Sequence, residues 1–189
     1  MESEQEEQKV RPDVPRYYRV SPRFWSDEKV RTWNTETRVL ALYLLTSPHR
    51  NLEGMFVLPL PYICADLEWT EAKVKKHIEI LVRDQFISYD IDVKLMLIRN
   101  ALKYQCPESA NVIKGALRRI RDLPHSPLFS EFLELAKRHC FRTGAPALAQ
   151  AFYSKVEQAL EPMSQRTSEY MNPNLQSQPQ SGSQPRAQS

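Results

Sequence analysis

The chain has 189 residues, 41% of them hydrophobic and 26% charged, with 26 basic and 23 acidic side chains and a net charge of +3. That length holds one well-buried domain plus appendages, and no apolar run approaches a bilayer-crossing span, so a membrane protein is excluded. The opening Glu2, Glu4, Glu6 and Glu7 are unlike a secretory leader, and Cys64, Cys106 and Cys140 are widely spaced, which predicts free thiols in an intracellular, cytoplasmic setting.

In chain order, residues 1–15 are charged and punctuated by Pro12 and Pro15, and are expected to form a disordered leader. Residues 16–104 form the expected folded core. Asn34 or Thr35 caps a first helix with a broad apolar face of Val39, Leu42 and Tyr43, flanked by Leu40, Leu44 and Leu45 and stopped at Ser47-Pro48. Gly54 to Leu58 supplies a short strand. Leu60, Ile63, Cys64 and Leu67 then recur at helical spacing, with Pro61 early, where its missing N–H costs nothing. After the turn at Glu68-Trp69, Thr70 caps a second helix whose Val74, Ile78, Leu81 and Val82 recur on one side. Phe86 to Asp90, a polar turn at Ile91-Asp92-Val93, and Lys94 to Arg99 read as a two-stranded wing, whose returning strand is the natural partner of the 54–58 strand. The order predicts a mainly α fold with a small β component (α+β), a winged helix-turn-helix core followed by C-terminal helices and a disordered tail.

Residues 105–140 read as a helical extension. One helix buries Ile113, Ala116, Leu117 and Ile120, and a second packs through Leu128, Phe132, Leu135 and Ala136, with Pro124 and Pro127 in the break. Within residues 141–162 an amphipathic helix over 147–161 carries Leu148, Phe152, Val156, Ala159 and Leu160, and such a helix can dock into a partner's groove. Residues 163–189 are Gln/Ser/Pro-rich and expected to be disordered.

Charge is unevenly distributed. Residues 1–9 hold four acids and one base and residues 143–189 three of each, so 22 bases and 16 acids of the 26 and 23 fall within 10–142. A basic body of this kind suits nucleic acid. The helix capped by Thr70 is the candidate recognition helix, because Lys73, Lys75, Lys76, His77 and Arg83 on its other faces match a helix lying in the major groove. Lys94 and Arg99, with Tyr89, are the wing's candidates for phosphate contact. Lys114, Arg118 and Arg121 form a basic stripe, with Arg119 beside it, that would steady the duplex. The plain alternative at each place is a solvated helix face. Trp25, Trp33 and Trp69 are expected in packing rather than base stacking.

No catalytic or metal constellation stands out. His49, His77, His125 and His139 are scattered, no cysteine is marked as activated, and four glycines form no phosphate-cradling loop, so neither an enzyme nor a cofactor is expected.

Tyr17-Tyr18-Arg19-Val20-Ser21-Pro22-Arg23-Phe24-Trp25-Ser26-Asp27 resembles the opening of bacteriophage and prophage replication initiator proteins, the replisome organisers of the DnaD-like primosomal group. Arg38 to His49 is similar to that family's first long helix and its exit. Gly54 to Pro59 with Tyr62 to Leu67 resembles the strand and helix that follow, and Leu102 to Gln105 with Val112 to Leu117 the exit from the wing. The resemblance spans about Tyr17 to Leu135 and rests mostly on structural motifs. It implies a winged helix that binds double-stranded DNA at a replication origin in a bacterial host, and a C-terminal part that engages the replicative helicase or its loader. Separately, a recognition helix that presents mainly lysines positions more than it specifies, so origin recognition would call for homo-oligomerisation to multiply weak contacts. After Cys140 this chain has no room for the second globular domain many such proteins carry. A winged-helix protein-interaction adaptor and a transcription regulator are the alternatives.

Overall fold

The computed structural model describes residues 18–106, 109–140, 150, 152–158 and 160. The leader expected at 1–15 and the tail expected at 163–189 lie outside the described residues. In order the elements are a 3-10 turn (Pro22–Ser26), α1 (Glu28–Thr32), α2 (Thr35–Thr46), β1 (Met55–Val57), α3 (Leu60–Leu67), α4 (Glu71–Arg83), β2 (Ile87–Asp90), β3 (Leu95–Ile98), α5 (Ala101–Tyr104), α6 (Ala110–Arg121) and α7 (Leu128–Cys140). Residues 152–158 are also helical.

Local chemistry places the helix starts. Asp27 accepts hydrogen bonds from the backbone of Lys29 and Val30, Asn34 from Thr37, Thr70 from Lys73 and Ser109 from Val112, so four helices open on a short polar side chain that satisfies an orphan N–H. Glu68 closes α3 in the left-handed region (φ 53°, ψ 40°), and that reversal lets Thr70 start α4 two residues later.

The three strands are antiparallel in the order β1-β3-β2, with Met55 opposite Leu97 and Ile87 opposite Ile98. The expected pairing of the 54–58 strand with the returning strand of the wing is therefore present. Together with α2, α3 and α4 this is the arrangement of a winged helix.

Side chains alternate across the sheet and both of its faces are covered. Met96 and Ile98 of β3, with Phe56 and Ile87, enter a core built from Phe24, Trp33, Leu40, Leu44 and Leu81. Leu95 and Leu97, with Met55, enter a second core made by α6, α7 and the helical residues Phe152, Val156 and Leu160. The sheet is thus the middle layer between the winged-helix helices and the C-terminal helices. Phe132 and Phe152 are among the largest fully buried side chains, each contributing about 1.5–3 kcal/mol by leaving water.

Several faces differ from those read in the sequence. In α2 the buried set is Thr37, Leu40, Ala41 and Leu44, whereas Val39 is exposed. Residues 39–45 are apolar nearly all round, so periodicity cannot choose a side and the position of α4 does. In α4 the stripe is Val74, His77, Ile78 and Leu81, and Val82 is exposed. In α7 Leu128 packs half-buried against the second core as expected, and Phe129, which the sequence reading did not single out, is buried in it. Trp25 is 59% exposed and touches the core only at its rim, edge-on to Phe24 with ring centroids 5.2 Å apart, while Trp33 is buried. The helix expected at 147–161 spends Phe152, Val156 and Leu160 on the second core, so this apolar face is not free for a partner; Leu148 and Ala159 lie outside the described residues.

Candidate nucleic-acid interface

Because α4 rests its apolar stripe on α2 and α3, the rest of its circumference is turned to solvent. Ala72, Lys75, Lys76, Glu79, Val82 and Arg83 are exposed there. The cations are not equivalent. Lys76 has no acidic partner among the described residues, and Lys75 pairs with Glu71 at 2.6 Å one turn earlier, an exposed contact that water and salt weaken. Lys73 sits at the edge, its Nζ 4.3 Å from the centroid of the Trp69 ring and 3.9 Å from Glu36. Arg83 is held by Asp84, donating from Nε at 2.9 Å and Nη2 at 3.3 Å, and Trp33 Nε1 donates to the same carboxylate at 2.6 Å. The Arg83 guanidinium is the main cause holding the Asp84 carboxyl below its usual range. Positive charge available to a ligand is therefore concentrated in the first two turns of α4.

His77 does not belong to this face. Its side chain is buried, and the Lys–Lys–His run that suggested exposure carries it past the solvent side onto the stripe three residues after Val74. The Thr37 hydroxyl donates to Asn34 Oδ1 at 2.7 Å, which leaves its oxygen to accept and makes His77 Nδ1 the donor across 2.8 Å. This chain of bonds fastens α4 to the cap of α2. Burial is the main cause lowering the His77 pKa; Glu36 opposes it, and Lys76 and Lys73 add to it. A histidine depressed in the fold is protonated more readily when unfolded, so its stability contribution is complete above the ordinary value of about 6.5 and declines as pH falls toward the lower folded value. We expect chemical denaturation between pH 7.5 and 5 to show this loss, and the His77→Gln protein to show a flatter profile; equal slopes would remove His77 as the cause.

The wing is pinned rather than free. Arg99 forms a 2.8 Å ion pair with Glu131 of α7, and Ser88 donates to the same carboxylate at 2.9 Å. Ser126 donates to Asp90 at 2.6 Å, fastening the wing's turn to the loop before α7. Lys94, in the left-handed region with φ 56°, donates its Nζ to the Asp92 carbonyl at 2.9 Å. Tyr89 is half-buried and donates to the Leu58 carbonyl at 3.1 Å, and burial pushes its phenol up to about 12. With Asp90 and Asp92 beside Lys94, the tip gives a phosphate little net attraction.

Lys114, Arg118 and Arg121 are exposed along α6 as a continuous stripe. Arg119 instead turns inward, clasping Glu53 from Nε at 3.2 Å and Nη2 at 2.6 Å. The stripe belongs to the far layer of the molecule. The apolar sides of α4 and α6 face opposite sides of the sheet, so their basic sides point away from one another. Sequence reasoning grouped them in one interface because it had no view of the layer between.

Other chemistry is sparse among the described residues. No group of three or more His, Cys, Asp or Glu is placed to hold a metal, no helix is long and apolar enough to cross a membrane, and Cys64 is a half-buried thiol on α3. Sequence reasoning also passed over Arg50, which is 2% exposed with an Nε–H that has no acceptor among the described residues. A scan of protein-family models, a search of curated proteins and a search of solved structures each found no match to this chain.

Proposed function

We propose that this protein binds double-stranded DNA through the outer face of α4, with the first two turns of that helix in the major groove, and serves phage-type replication initiation in the bacterial cytoplasm. The observation that carries this reading is the set of Lys73, Lys75 and Lys76 on the solvent side of a helix capped by Thr70, at the N-terminal end that winged helices direct toward bases. The initiation role rests on the resemblance of the stretch from Tyr17 to Leu135. Recruitment of a helicase or its loader, and self-association at an origin, complete the proposal. The apolar side of residues 152–158 is already covered, so recruitment falls to other surfaces.

Lysines position a protein on phosphate more than they read bases, so affinity here is mainly ionic. The test is a salt series with the purified full chain on its own coding duplex and on a scrambled duplex of equal length. Replacing Lys75 and Lys76 by alanine should weaken binding to both and reduce the salt slope by about one per lost phosphate contact. Replacing Lys114, Arg118 and Arg121 together should leave binding to a single short duplex unchanged, because that stripe lies in the opposite layer. Unchanged binding after the α4 substitutions would overturn the interface. Absence of binding at low salt would move the reading to the adaptor, which takes a protein through the same fold.

A further inference from the structure

A cleft of about 560 Å³ lies between residues 20–33, the turn after α4 and α5, within the size range of small-molecule sites. Phe24, Trp33 and Phe86 contribute apolar wall, and Arg19, Arg23 and Lys103 contribute positive charge. Of the acids at its margin, Asp27 caps α1, Glu28 stands in the first turn of that helix, and Asp84 is bound by Arg83 and Trp33.

Arg50 lines this cleft and, among the described residues, forms no ion pair. Its Nη1 donates to the Leu45 carbonyl and its Nη2 to Gln105 Oε1, both at 2.9 Å, while its Nε–H has no acceptor among the described residues. The ring of Tyr18, 4.6 Å away, lies against one face of the guanidinium, and the Tyr18 hydroxyl donates to the Arg50 carbonyl. The acid that attracts it, Glu53, is clasped through both oxygens by Arg119. Burial accordingly pulls the Arg50 pKa below its ordinary value. A buried cation in neutral surroundings is costly, and an anion that donates no proton but accepts the Nε–H removes that cost.

We propose that this cleft binds a small anion with a compact apolar body, a phosphomonoester or a carboxylate, whose charged head accepts from Arg50 Nε while its body lies on the Phe24, Trp33 and Phe86 wall. The Lys103 side chain adds charge attraction at the opening. The site is separate from the outer face of α4, so it stands or falls independently of DNA binding.

The test follows the arginine Nε–H resonances of the full chain by 15N–1H NMR while phenyl phosphate, phenylacetate or inorganic phosphate is added. The Arg50 Nε–H proton should move downfield saturably and exchange more slowly with water. Lys103→Glu, an exposed change, should weaken phenyl phosphate binding about three- to tenfold without shifting the melting temperature. The tighter of the two aromatic probes identifies the head group. A shift at Arg50 no larger than at exposed Arg31 and Arg118, or an unaltered affinity in Lys103→Glu, overturns the site. Inorganic phosphate binding as tightly as phenyl phosphate overturns the apolar body.

Discussion

Arg119→Ala is expected to lower the unfolding free energy by about 3 kcal/mol, although Arg119 sits among basic residues of α6 that look interchangeable in sequence. Glu53 is fully buried and both of its carboxylate oxygens are held by the Arg119 guanidinium. Removing the cation leaves a buried charge unpaired, a change that costs about 3–5 kcal/mol. The lower end applies because Arg119 itself is 41% exposed and water can follow into the vacated space. For a chain of this size that corresponds to a melting temperature about 6–12 °C lower. Arg118→Ala, one residue away on the exposed side, should stay within about 0.5 kcal/mol of the parent. Urea denaturation of both variants decides it: equal midpoints would mean that the pair contributes nothing. Adding Glu53→Gln to Arg119→Ala should recover part of the loss, since the stranded charge is then gone. The pair matters to the architecture because it ties α6, in the far layer, to the loop that leads into β1.

Gly54→Ala should cost about 2–5 kcal/mol, from a side chain of one carbon. Gly54 has φ +75°, where an L-residue is strained by about 1–2 kcal/mol. The added Cβ would also overlap the Cβ of Ala101 and stand 3.3 Å from the Ile98 carbonyl oxygen, and overpacking of this kind adds about 1–3 kcal/mol. Neither neighbour can yield cheaply. Ile98 N–H donates to the Gly54 carbonyl at 2.8 Å, and Asn51 brackets the turn, donating to the Met55 carbonyl at 2.6 Å and accepting from its N–H at 3.2 Å. We expect Gly54→Ala to open the edge of the sheet, read as faster amide exchange at Met55 and Leu97 together with the fall in stability. Retention of parental stability would show that α5 moves aside without cost.

The order of the winged helix was legible because each of its starts carries a local signal. Asn34 and Thr70 cap helices through their own side chains, Glu68-Trp69 breaks the chain between two apolar periods, and the β-rich run around the turn at 91–93 forms the hairpin. Two further signals were in the sequence and point to what the structure contains. Leu95-Met96-Leu97-Ile98 is apolar without alternation, the pattern of a strand covered on both faces, and all four residues are buried. His77 stands at helical spacing from Val74 and Leu81, so position placed it on the stripe while its lysine neighbours suggested solvent.

Sequence by itself determined the elements, their caps, the pairing of β1 with β3 and the presence of lysines on one helix, because these depend on contacts within a few residues or on alternation along one strand. The tertiary structure alone decided which cations are available. Arg83 donates to its neighbour Asp84, whose carboxylate also accepts from Trp33, 51 residues away; Arg99 is taken by α7; Arg119 is taken by Glu53, 66 residues earlier; and Arg50 is left buried with no carboxylate bound to it among the described residues. It also placed α4 and the Lys114 stripe on opposite sides of one sheet. Ion pairing and burial act through space at a few ångströms, and distances of that order between residues far apart in the chain exist only after the two cores have closed on the sheet.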